Sequence, residues 1–247
     1  TDKPNVEGLV ISFEGMPFNL KEEFNQLVER MKKSLDVFDK ALVVAIPPAR
    51  GQNKYDLKNI NYFVDQFVML GYNYYYSGSY KPGPVSPLRQ SKEWGELNVQ
   101  QGVTEYLSFG VPRNKLIVAF PYYGAMWKIG KDGDKTRPIF YGNPPINEIL
   151  QNIKDANAED SVQYDKSAAT AVCTYTRGEA RYVVYFDNVQ SLTDKYNWVK
   201  SQKLAGIGMW TLGYDEGETQ FWDLLATEVN VLKNHGLKQV VNETEPE

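Results

Sequence analysis

The fold is indicated by Glu7-Gly8-Leu9-Val10-Ile11-Ser12-Phe13-Glu14, a short apolar run that ends on a carboxylate. Its β-branched and aromatic residues predict a strand from Leu9 to Phe13. Side chains alternate along a strand, so Ser12 and Glu14 lie on one face. Glu14 then stands at the carboxyl end of the strand, where barrels and open α/β sheets place their active groups.

Apolar strands and amphipathic helices alternate along much of the chain. Four further strands are predicted at residues 41–46, 66–70, 115–120 and 206–210, with helices near residues 20–38, 98–109 and 219–232. Continuous apolar strands that alternate with helices predict an α/β fold with a parallel sheet covered on both faces. A (β/α)8 barrel needs eight such strands in about 250 residues. Only five strong candidates are present.

The alternation of apolar strands and helices is interrupted between the last two parallel strands. Residues 172–175 and 181–186 predict a hairpin, and residues 188–202 predict a helix. We therefore expect a small α+β insertion over residues 125–204, without a linker that would make it a separate unit.

Composition excludes several classes of protein. A net charge of −4 and a pI of about 5.3 argue against nucleic-acid binding, which requires a basic surface. No run of 18 apolar residues predicts a membrane-spanning helix. The single Cys173 and the single His235 exclude a structural zinc site and argue against a Ser-His-Asp or Cys-His mechanism. We expect no metal and no cofactor, since no phosphate-cradling glycine loop is found.

Aromatic residues follow the predicted strands at the same edge as Glu14. Tyr72-Asn73, Tyr122-Tyr123 and Trp210 each end a strand. Burial among such rings would keep the Glu14 carboxyl protonated, as a general acid requires, and tyrosine and tryptophan suit a cleft that stacks sugars. The alternative is a solvated glutamate beside core aromatics.

Five motifs in this order resemble those of family 18 glycoside hydrolases, the chitinase family. Residues 7–14 are similar to the fourth-strand pattern D-G-x-D-x-D-x-E, residues 65–73 to the sixth strand, which ends M-x-Y-D, and residues 118–124 to the seventh, G-x-P-x-Y-G; residues 185–195 resemble Y-D-D-x-x-S-x-x-x-K of the insertion, and residues 206–210 the eighth strand, which ends on tryptophan. The resemblance implies a partial (β/α)8 TIM barrel, strands four to eight, over residues 1–247. The three N-terminal β/α units are then absent.

The resemblance also implies roles for particular residues. Glu14 would protonate the glycosidic oxygen while the N-acetyl carbonyl of the substrate attacks the anomeric carbon. Tyr72 would bond the acetamide, and Ser12 occupies the position of an assisting aspartate. The implied substrate-binding residues are Trp210, Asn73, Tyr123 and Asp187.

The departures from the family pattern concern acidic residues. Ser12 replaces the aspartate that orients the acetamide, and Asn73 replaces the last residue of M-x-Y-D. Loss of one preorganised electrostatic group typically costs about 10²–10³ in rate. The acid is retained while its electrostatic setting is depleted.

Two functions are compatible with these residues. One is hydrolysis of β-1,4-linked N-acetylglucosamine polymers such as chitin, peptidoglycan or N-glycan cores, and the other is glycan binding without efficient turnover. The family implies an extracellular, cell-surface or periplasmic location. Because an isolated five-stranded parallel sheet exposes two edges, we expect a further segment or a second chain to supply the missing strands. A docking platform is a third alternative.

Overall fold

The structure is a computed structural model that describes residues 6–48, 55–130 and 137–233, with side chains described through residue 228. His235 lies outside the described residues, as do both ends of the 1–247 domain. Two five-stranded sheets account for the strands in the described part of the chain.

The first sheet is parallel, with the strand order β1-β2-β3-β4-β10. Its strands are β1 (Gly8–Ser12), β2 (Ala41–Ile46), β3 (Gln66–Leu70), β4 (Leu116–Pro121) and β10 (Gly206–Trp210). All five were predicted to within a residue at either end. Near the carboxyl ends, Ser12 pairs with Ala45 in β1–β2, and Trp210 pairs with Pro121 in β10–β4. The register therefore brings the residues that follow these strands to one rim.

Helices pack against the two sheets. They are α1 (Lys21–Asp36), α2 (Leu57–Ile60), α3 (Val99–Ser108), α4 (Ile146–Asp155), α5 (Val189–Ser201) and α6 (Thr219–Lys233). In α1, Phe24 and Val28 are buried one turn apart, which is the spacing of a helix with one apolar face. Acidic residues in its first turn and Lys33 in its last turn complement the helix dipole.

The second sheet is antiparallel, with the order β6-β5-β9-β8-β7. Its strands are β5 (Ala125–Ile129), β6 (Ile139–Gly142), β7 (Gln163–Asp165), β8 (Thr170–Arg177) and β9 (Ala180–Phe186). The predicted α+β insertion is confirmed, although only β8 and β9 were recognised as strands. Helix α5 lies within the predicted range 125–204, yet its buried Leu192, Tyr196 and Val199 belong to the core of the parallel sheet.

A cluster of apolar side chains joins the two sheets where the parallel strands end. It contains Tyr72 and Tyr123 from the ends of β3 and β4, and Trp127 and Val183 from the antiparallel sheet. Because protein interiors are close-packed, this contact holds the ring positions of both tyrosines. The insertion thus forms one wall above the rim.

The edges of the parallel sheet are β1 and β10 in the described ranges. Val10 on β1 is 63% exposed, and Trp210 at the end of β10 is 55% exposed. Edge strands with uncovered apolar side chains are places where other strands can pair. In the described part of the chain, no helix combines the length and the apolar character needed to cross a bilayer.

Candidate active site

The carboxyl ends of the parallel strands surround an open pocket of about 240 Å³. Its lining residues are Glu14, Tyr72, Asn73, Tyr123, Asn143, Trp210 and Tyr214. Five of these were predicted as site residues, and they come from four different strand ends. Convergence of this kind follows from the parallel register, since every strand delivers its last residues to the same side of the sheet.

Glu14 lies two residues beyond the last β1–β2 pair, and its side chain is exposed. The expectation that aromatic rings bury this carboxyl is wrong, because the rim is open on the side of the β1 edge. Among the residues that the structure describes, no side chain donates a hydrogen bond to the Glu14 carboxylate. The carboxylate oxygens are therefore accessible to a ligand in the pocket.

Tyr72 and Tyr123 supply two buried phenols beside Glu14. Their rings meet edge to face, with centroids 5.8 Å apart. Burial raises the pKa of both hydroxyls well above the usual value of 10, and the negative charge of Glu14 raises both further. Both groups stay protonated at physiological pH and act as neutral hydrogen-bond donors.

Asn73 is oriented by a hydrogen bond. The hydroxyl of Tyr123 donates to Oδ1 of Asn73 at 2.8 Å. The backbone of Asn73 has a φ of 62°, in the left-handed region that asparagine tolerates better than most residues.

Trp210 is the last residue of β10 and presents its indole to the pocket. An exposed indole at a pocket wall offers a flat apolar surface with a polar N–H at its edge. Tyr214, four residues further on, stands against Tyr123 with ring centroids 6.5 Å apart. Tyr214 was not predicted, although its place in the loop after a site strand was a usable signal.

Asn143 was also missed by sequence reasoning. It comes from the insertion, just after β6, and its Nδ2 donates to the carbonyl oxygen of Gly124 at 2.8 Å. A Cβ at Gly124 would lie 2.8 Å from the Tyr185 carbonyl oxygen, so the close approach of these segments requires glycine there. No local pattern identifies Asn143, because only tertiary packing brings the insertion to the rim.

Two predicted residues lie elsewhere. Ser12 is exposed at the end of β1 but is not among the residues that line the pocket. The prediction that Asp187 lies on the cleft wall is corrected, because its side chain is fully buried. Asp187 directly precedes the N-cap of α5, so it points into the core beneath that helix.

Asp187 forms a buried ion pair with Lys195. Nζ of Lys195 lies 2.6 Å from Oδ2 of Asp187, and the hydroxyl of Ser191 donates to Oδ1 at 2.8 Å. Burial raises the pKa of Asp187 and lowers that of Lys195, while the contact between the two opposes both shifts. The ammonium also lies 5.7 Å from the centroid of the Phe120 ring. This ion pair links α5 to the segment that directly follows β9.

A parallel α/β sheet, an antiparallel insertion and a pocket with one carboxylate among aromatic rings define a domain of the glycoside hydrolase type. The family model described as "Glycosyl hydrolases family 18" matches residues 2–215. The chain belongs to this family.

Individual relatives agree with this assignment. The chain is 28% identical to the "Cortical fragment-lytic enzyme" of Bacillus subtilis (strain 168) over 228 residues, which are 86% of this chain and 47% of that protein. The fold is similar to that of a family 18 chitinase from Cycas revoluta in complex with (GlcNAc)3, with a TM-score of 0.75, 20% identity, and coverage of 90% and 68% of the two chains. A chitinase-like agglutinin from Robinia pseudoacacia gives the same TM-score and identity, with 90% and 67% coverage. This chain spans about half the length of the Bacillus relative.

Proposed function

We propose that this domain is a glycosidase for β-1,4-linked N-acetylglucosamine glycans, with Glu14 as the general acid. The observation that carries the proposal is that Glu14 and Trp210 line one pocket together with Tyr72. A carboxyl opposite an aromatic platform suits a sugar ring that is held flat while its glycosidic oxygen is protonated. The Cycas relative, which binds (GlcNAc)3, supports this class of ligand.

The chemistry follows from the positions of these groups. An N-acetylglucosamine ring rests on Trp210, and Glu14 transfers its proton to the glycosidic oxygen. As the bond from the anomeric carbon to that oxygen breaks, the acetamide carbonyl oxygen of the same sugar attacks the anomeric carbon. The Tyr72 hydroxyl donates a hydrogen bond to the acetamide. Water then attacks the anomeric carbon and gives a proton to the Glu14 carboxylate, which restores the acid.

We propose that Ser12 limits the rate in this mechanism: it does not line the pocket itself, but it is the last residue of β1 and precedes Glu14 by only two residues. A hydroxyl in place of an aspartate brings no negative charge to the positive oxazolinium intermediate, and loss of one such group typically costs about 10²–10³ in rate. We therefore expect slow turnover.

The second candidate function is glycan binding without turnover. It is favoured by the pocket itself, because Glu14 is the one carboxylate among the lining residues that the structure describes. The Robinia agglutinin, named as chitinase-like, supports the idea that this fold serves binding proteins.

Hydrolysis of a chromogenic chito-oligosaccharide, with Glu14→Gln as the control, separates the two functions. Release above that of the variant supports the glycosidase. Release equal to that of the variant, with a shift in tryptophan fluorescence when the oligosaccharide is added, supports binding alone. If the wild type shows neither release above that of the variant nor a fluorescence shift, both functions are rejected.

We further propose that the five parallel strands correspond to the fourth to eighth strands of a (β/α)8 barrel, with residues 1–247 as one domain and 125–204 as its insertion. The exposed β1 and β10 edges and the 68% coverage of the Cycas chitinase support this. Further strands, from a longer chain or a second polypeptide, would then pair with both edges. Native mass spectrometry tests for such a partner. An extracellular, cell-surface or periplasmic location is part of the same proposal.

A further inference from the structure

The end of β1 has an anchor that lies outside the pocket. Hydrogen-bonded pairing of β1 with β2 ends at Ser12, so Phe13 and Glu14 extend beyond the ladder. The carbonyl oxygen of Phe13 accepts a hydrogen bond from the Tyr55 hydroxyl at 2.6 Å and a second, at 3.2 Å, from the backbone N–H of Met16. The peptide group that precedes Glu14 is therefore tied to a different loop of the protein.

Tyr55 is itself rigidly held. It is buried, and its ring meets Phe24 edge to face with centroids 5.4 Å apart. Phe24, on α1, meets the ring of Phe13 in the same way at 5.7 Å. This three-ring cluster packs the loop before α2, the helix α1 and the end of β1 against one another, so the Tyr55 hydroxyl has little freedom to move.

Tyr55 also responds to the charge of Glu14. Burial raises the pKa of its hydroxyl to about 12, and the negative charge of Glu14 contributes to that shift. The phenol therefore remains a donor throughout the working pH range.

We propose that Tyr55 is a positioning residue: its hydrogen bond to the Phe13 carbonyl fixes the backbone from which Glu14 reaches the pocket. This inference rests on the proposed function. Tyr55 is not among the pocket-lining residues, so it acts through the backbone and not on the substrate. Since a displacement of about 1 Å in a catalytic group can cost 10²-fold in rate, loss of this tie has a measurable effect on turnover.

The test compares Tyr55→Phe with a matched variant, Tyr106→Phe. Both substitutions remove one hydroxyl and leave a buried ring in place. The Tyr106 hydroxyl also donates to a backbone carbonyl at 2.6 Å, that of Pro47 directly after β2, and no described residue of that strand end lines the pocket. We expect Tyr55→Phe to lower kcat on a chito-oligosaccharide about tenfold with KM within about twofold, while Tyr106→Phe changes neither.

Equal kcat values for Tyr55→Phe and the wild type overturn the positioning role and leave the glycosidase proposal intact. An equal loss in both variants also overturns it, since the effect is then one of general stability.

If the wild type shows no turnover, the glycosidase proposal fails by itself. The position of Glu14 is then followed from its carboxyl ¹³C resonance, assigned by its loss in Glu14→Gln. The same titration curve in Tyr55→Phe and the wild type overturns the role, and a changed curve supports it.

Discussion

Replacing Lys195 by methionine removes the cation from the buried ion pair with Asp187 and keeps the length of the side chain. Both side chains are fully buried, and both carboxylate oxygens of Asp187 lie against Nζ of Lys195. Of the hydrogen bonds that described side chains donate to Asp187, the one from Ser191 remains after the change. Removing one partner of a buried pair typically costs about 3–5 kcal/mol, because the remaining charge is left unpaired in a low-dielectric interior.

Urea denaturation, monitored by circular dichroism, measures this loss in the free energy of unfolding. For a chain of this size, the same change lowers Tm by about 10 °C. Lys33→Met is the control, because Lys33 pairs with Glu29 on the exposed face of α1 and its loss costs less than about 1 kcal/mol. The double variant Asp187→Leu/Lys195→Met should recover most of the stability, since it leaves no unpaired charge.

If Lys195→Met lowers the free energy of unfolding by less than about 1 kcal/mol, the reasoning that this ion pair stabilises the packing of α5 against the end of β9 is refuted. Oligosaccharide binding, measured at a temperature where both proteins are folded, should be unchanged, because neither residue lines the pocket. A selective loss of oligosaccharide binding, with normal stability, would support the original prediction that Asp187 belongs to the binding site.

Three other outcomes follow from the structure. Trp210→Ala should weaken oligosaccharide binding by about tenfold, measured by calorimetry, because it removes the exposed indole from the pocket wall; unchanged affinity would contradict the platform role. Ser12→Asp should raise the rate of hydrolysis by about 10²-fold in a chromogenic assay, and a rate equal to the wild type would show that Ser12 does not limit turnover. Burial raises the pKa of Tyr55, Tyr122 and Tyr175 to about 12, so their contribution to stability is complete below pH 10 and is lost as pH rises through 12; the free energy of unfolding, measured by urea titration across that range, should fall, and a flat profile would contradict it.

The parallel strands were predictable because their pattern is local. Each is a continuous apolar run between turns, and such a run is recognised without knowledge of its partners. The shorter strands β6 and β7 escaped prediction because they are partly exposed and lack such a run. Asp187 illustrates the same limit, since the sequence alone cannot tell whether a carboxylate after a strand faces a cleft or a buried lysine eight residues later.

By itself, the sequence determined the five parallel strands, the insertion between the last two, and the residues at the strand ends that line the pocket. The physical reason is that parallel strands deliver their carboxyl ends to one rim, so order along the chain is enough to group Glu14, Tyr72 and Trp210. Only the tertiary structure decided that Glu14 is exposed, that Asp187 is buried against Lys195, and that Asn143 reaches the pocket. Burial and contacts between distant segments depend on how helices and sheets pack together, and no local pattern of residues encodes that packing.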